Sequence, residues 1–79
     1  MSILNQVRQT VAETLNVPLS TISKDSSAEN MDIWDSLAQV NLMMAIEQTF
    51  DITLEVEDFM KLNSVTSITT FIEKTPNTR

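Results

Sequence analysis

Apolar residues recur at helical spacing in several stretches of the chain, separated by polar, irregular sequence. Ile3, Leu4, Val7, Val11 and Leu15 alternate with Gln6, Arg8, Gln9 and Glu13, which predicts a helix from about Ser2 to Leu15. Pro18 bars its continuation. A second helix is predicted from Ser36 to Phe50, weakened beyond that point by Asp51 and the β-branched Ile52 and Thr53. A short helix fits Val56 to Leu62. A last one fits Ser64 to Lys74, with Val65, Ile68, Phe71 and Ile72 as its apolar side. Pro76 is expected to stop it and the tail 77–79 to fray. Ile52-Thr53-Leu54 is too short and isolated to found a sheet. The expected fold is all-α: a small antiparallel four-helix bundle, three longer helices and one short, in a single domain spanning 1–79.

Residues 16–35, NVPLSTISKDSSAENMDIWD, read as one long loop, longer than most connections in a compact domain. Such a loop is either functional or packed down, and Val17, Leu19, Ile22 and Trp34 are the residues able to tie it to the core. Trp34 has two readings, an anchor burying its ring or a contact for a ligand or partner.

The second helix has two apolar sides. At about 100° per residue, Leu42, Ile46 and Phe50 share one face with Met43 at its edge, while Leu37, Val40 and Met44 lie roughly opposite. The first stripe is the better core candidate, because it holds its register longest and ends in a large ring. The second is either an exposed docking surface or the other side of a fully buried central helix.

Composition narrows the function classes. The chain has 79 residues, 42% of them hydrophobic, which suits one small folded domain rather than a disordered segment. It holds 11 acids against 5 bases, a net charge of -6 that disfavours nucleic acid and anionic membranes and favours basic partners. It has no cysteine, histidine or glycine. Disulfides, Cys/His metal sites and glycine-rich phosphate loops are thereby excluded, and no metal site is expected. The opening MSILNQVRQT has no apolar signal-peptide core and no stretch is long enough to span a membrane, so a cytoplasmic monomer is expected.

Asp35-Ser36-Leu37 stands where the irregular stretch gives way to the second helix. Ser36-Leu37-Ala38-Gln39 matches a capping box, in which the serine caps the helix and the glutamine reaches back. Alternatively Ser36 is an attachment point that another enzyme modifies, since a phosphodiester there would meet the positive end of the helix dipole. Catalysis by Ser36 itself is not expected, because no histidine or neighbouring lysine is there to activate it.

Trp34-Asp35-Ser36-Leu37, then Val40, Leu42, Met43-Met44-Ala45-Ile46-Glu47 and Phe50-Asp51-Ile52, resembles the acyl carrier protein family. The similarity continues through Glu57-Asp58-Phe59 and Ser64-Val65, across nearly the whole chain. The resemblance implies a four-helix bundle with one short helix. It implies that Ser36 receives 4'-phosphopantetheine from coenzyme A through a magnesium-dependent phosphopantetheinyl transferase. The thiol of that arm would hold acyl intermediates as thioesters, loaded by a ligase or synthase. It further implies that Asp35 assists recognition by the transferase and that Leu37, Val40, Met44, Glu47 and Glu57 contact partner enzymes.

The chain also departs from the family pattern. Carriers of fatty acid synthesis have several acids along the second helix, where this chain has Ala38, Asn41, Gln48 and Thr49, leaving Glu47 alone. The acids gather instead at Glu55, Glu57 and Asp58, and in the loop at Asp25, Glu29 and Asp32. The glycine common before the serine is absent. The expectation is a dedicated carrier in a specialised pathway: polyketide, non-ribosomal peptide, or sugar or lipid assembly. A peptidyl or aminoacyl carrier is the nearest alternative, and an unmodified interaction module with Ser36 as a cap is the more distant one. Met31, Met43, Met44 and Met60 read either as adaptable core filler or as a core that opens to an acyl chain.

Overall fold

A computed structural model describes residues 2–75 of the chain. Four α-helices form: α1 (Ile3–Leu15), α2 (Ser36–Phe50), α3 (Val56–Lys61) and α4 (Val65–Lys74). Among the described residues there is no named strand, only an isolated bridge between Ser27 and Ser64. The all-α bundle of three longer helices and one short one is thus present as read. Pro76 and the tail 77–79 lie outside the described residues.

Two helices start one residue later than their apolar pattern suggested, because the serine in front of each is the cap. Ser2 Oγ accepts the Asn5 N–H at 3.1 Å, and Ser64 Oγ accepts the Ser67 N–H at 3.0 Å. In α4 the pairing is reciprocal, with Ser67 Oγ accepting the Ser64 N–H at 3.1 Å. α3 is closed by a similar box between Glu55 and Asp58, and Leu62 is its C-cap rather than its last residue.

With no glycine available, two helix ends place other residues in the left-handed region. Asn16 (φ 59°) ends α1 and Asp51 (φ 55°) ends α2. These short polar side chains tolerate that conformation better than any other non-glycine type. The Asn16 N–H returns to Ala12 and Glu13 carbonyls, and the Asp51 N–H to the Glu47 carbonyl.

α1 packs against α2 and α4, and their facing stripes make the core: Val7 and Val11, then Leu42, Met43 and Ile46, then Val65, Ile68 and Ile72. Each such side chain stabilises the fold by about 1.5–3 kcal/mol when fully buried. Phe50 packs on the core while remaining half-buried. α3 is different, for none of its own residues is buried. It is held by its flanks, where Leu54 and Leu62 are buried, and by hydrogen bonds from α2.

The long loop is packed down. Ile22 and Trp34 are buried and Val17 is half-buried, but Leu19 is exposed, so it does not anchor the loop as expected. It opens a single 3₁₀ turn, Leu19–Thr21, and Arg8 holds that turn instead. Arg8 donates through Nε to the Ile22 carbonyl at 2.7 Å and through a terminal nitrogen to the Leu19 carbonyl at 3.4 Å. Further along, Val65 N–H meets the Ser26 carbonyl and Ala28 N–H the Asn63 carbonyl, each at 2.9 Å, so the loop is stitched to the start of α4.

The methionines divide unevenly. Among the described residues only Met43 is fully buried, Met31 is half-buried, and Met44 and Met60 lie on the surface. Met43 and, in part, Met31 therefore fill the core, while Met44 and Met60 do not.

Candidate functional site

The cap of α2 lies one residue before the one expected from its sequence. Asp35, in extended conformation, is the N-cap, and its Oδ1 accepts the Ala38 N–H at 2.9 Å. The capping box assigned to Ser36 and Gln39 therefore does not form. A carboxylate one residue earlier reaches the third helical N–H, and Ser36 becomes the first residue of the helix. Its hydroxyl is exposed and plays no part in the cap. Negative charge attached there would sit against the first-turn N–H groups and the positive dipole end.

Gln39, freed from capping, is spent on another task. Its Oε1 accepts the Trp34 indole N–H at 2.7 Å, and its Nε2 donates to the Phe59 and Leu62 carbonyls, each at 2.8 Å. Trp34 is thereby fixed as the buried anchor, 2% exposed, directly before the Asp35-Ser36 step.

Beside Ser36 an open groove of about 500 Å³ runs between α2 and α3. Trp34, Phe59 and Met60 give it an apolar lining, and Gln39 and Asn63 lie along it. Sequence reading did not place Asn63 in this site, and gave Gln39 only a capping role. Their positions become legible only once α3 folds back along α2.

Leu37, Val40 and Met44 are exposed, Leu37 at 72%, so the second stripe of α2 is a surface and not buried core. Val56 and Met60 extend exposed apolar surface onto α3. Glu57 is exposed in the first turn of α3. Glu47 is half-buried, and its Oε2 accepts the Leu54 N–H at 2.9 Å. The only carboxylate within α2 thus holds the segment leading into α3.

The residues suit a phosphopantetheine group. An exposed, uncommitted serine hydroxyl would supply the phosphodiester oxygen, the helix start would accommodate its charge, and the groove would offer an extended arm an apolar wall. The chain has no histidine to activate the hydroxyl, and Asp35 is committed to the cap.

Comparison with known proteins agrees with this geometry. The family model described as "Phosphopantetheine attachment site" matches residues 5–72. An acyl carrier protein of Exiguobacterium sp. is 38% identical over 71 residues, covering 90% of each chain. One from Akkermansia muciniphila is 36% identical, over 92% of this chain and 91% of its own. Acyl carrier protein 3 of Ralstonia nicotianae is 31% identical, over 91% and 83% respectively. On these matches the chain belongs to the acyl carrier protein family, whose phosphopantetheine attachment domain bears a covalent arm and does no catalysis of its own.

Proposed function

We propose that Ser36 is the attachment residue and that the chain carries acyl groups as thioesters on its 4'-phosphopantetheine arm. The observation that carries this reading is the exposed Ser36 hydroxyl on the first turn of α2, released from capping by Asp35, at the edge of an apolar groove. When bound, the arm supplies a thiol that holds the acyl group. The chain's own residues do the rest. Ser36 tethers the phosphodiester, Asp35 sets the start of the helix, and Trp34 fixes the approach to it.

A phosphopantetheinyl transferase and an acyl-loading ligase or synthase are the partners in this reading. They dock on Leu37, Val40 and Met44, with Glu57 beside them and Glu47 at the border. The domain is read as spanning 1–79, monomeric and cytoplasmic. No described helix is long and apolar enough to cross a membrane.

The pathway is read as a specialised one. α2 has a single carboxylate, Glu47, and that carboxylate is engaged by the Leu54 N–H, so α2 presents a nearly neutral, apolar face to partners. A synthase that recognises its carrier by a row of acids on this helix finds none. Aminoacyl or peptidyl cargo is the second reading, since the same arm and face would serve it.

Intact mass spectrometry tests the attachment. Incubation with coenzyme A, magnesium and a broad-specificity transferase is expected to add one phosphopantetheine, and Ser36→Ala to add none. Addition to Ser36→Ala would overturn the assignment.

A further inference from the structure

Gln39 uses both of its amide hydrogens and its oxygen, and each bond goes to a different place: Trp34, Phe59 and Leu62. It stands on α2 one turn beyond Ser36. The two carbonyls it meets belong to the last turn of α3 and its C-cap, groups that a helix cannot satisfy by itself. α3 has no buried residue of its own to hold it down. Leu42 and Ile46 of α2, fully buried, and Leu54 and Leu62, which flank α3 and are nearly so, belong to one apolar core.

We propose that Gln39 is a positioning residue that bolts α3 to α2, fixing the wall of the groove beside Ser36 and keeping an attached acyl chain outside the core. This rests on the reading of Ser36 as the attachment residue. With the bolt closed, the acyl chain lies in the open groove along Trp34, Phe59 and Met60, and its thioester stays accessible to enzymes. With the bolt released, α3 separates from α2 and the apolar core behind it becomes reachable. An acyl chain then enters it, because leaving water favours an apolar chain. Gln39 therefore determines which cargo is presented and how openly.

Two measurements on the full chain test this. The first is amide hydrogen exchange in the unmodified protein. Gln39→Ala, and Gln39→Glu, which keeps the Trp34 acceptor but loses both donations, are each expected to speed exchange in α3 by about tenfold, as expected from the loss of two buried hydrogen bonds. Exchange in α1 and α4 is expected to stay unchanged, which shows that the variant is folded. Unchanged α3 exchange in both variants would overturn the bolt.

The second uses an octanoyl arm transferred from octanoyl-coenzyme A. Hydroxylamine attacks the thioester carbonyl, forming the hydroxamate and releasing the thiol. The native protein is expected to react at the rate of octanoyl-coenzyme A, and Gln39→Ala more slowly. A native rate well below that of octanoyl-coenzyme A, or equal native and variant rates, would overturn the claim about cargo. No loading of the native protein would overturn the Ser36 assignment, and with it the claim about cargo, while the exchange result still decides the bolt.

Discussion

At the residue scale, adjacent side chains divide two tasks that sequence reading assigned to one. Asp35 caps α2 and Ser36, the proposed attachment residue, takes no part in the cap, so the two are separable by mutation. Asp35→Ala is expected to lower unfolding free energy by about 1 kcal/mol. Ser36→Ala is expected to change it by less than about 0.5 kcal/mol while abolishing modification, because Ser36 makes no cap bond. Urea unfolding of both variants checks this, and the reverse order would restore Ser36 as the cap. Asn16 offers a second test. It holds a left-handed conformation in a chain without glycine, and Asn16→Gly is expected to stabilise the fold by up to about 1 kcal/mol by relieving the Cβ clash. A loss of stability in the same titration would mean that the Asn16 side chain matters more than its backbone.

At the element scale, α2 shows what sequence pattern can and cannot deliver. Its two apolar stripes were legible from spacing alone, and so was the choice between them: Leu42 and Ile46 are buried while Leu37, Val40 and Met44 are exposed. Gln39 was misread as part of a cap, and the bond that Glu47 makes was not foreseen, because their partners are distant in the chain. Gln39 bonds to Phe59 and Leu62, and Glu47 to Leu54, and no local spacing rule encodes those contacts. Leu19 failed as an anchor for the same reason, since Arg8 from another element took over its task. The exposed stripe leads to a prediction. Leu37→Asp and Met44→Asp are expected to reduce transferase kcat/KM about tenfold or more, while stability shifts by no more than about 0.5 kcal/mol, as for other surface substitutions. Steady-state kinetics with native-like unfolding would establish this; unaltered kinetics would remove the stripe from the docking surface.

At the scale of the whole molecule, the charge of -6 and the neutral face of α2 act at different ranges. In the proposed reading the net charge steers basic partners from a distance, while the contact surface at the Ser36 end of α2 is apolar. Transferase KM is therefore expected to rise only modestly, by less than about threefold, when ionic strength rises roughly tenfold, because screening removes the steering but not the apolar contacts. A steep rise in KM would place the acids of α3 and the loop at the interface itself. For the same reason the protein is expected to support fatty acid elongation poorly in a reconstituted synthase, and efficient elongation would contradict the specialised-pathway reading.

The central claim concerns one hydroxyl, and the chain's few bases make it directly measurable. Trypsin cleavage after Lys24 and Lys61 releases Asp25–Lys61, which contains Ser26, Ser27 and Ser36. After treatment with coenzyme A and a phosphopantetheinyl transferase, fragment masses of this peptide locate the group. The account predicts the whole gain on Ser36, with Ser26 and Ser27 unmodified. A gain on either of those serines, or none on this peptide, would contradict it.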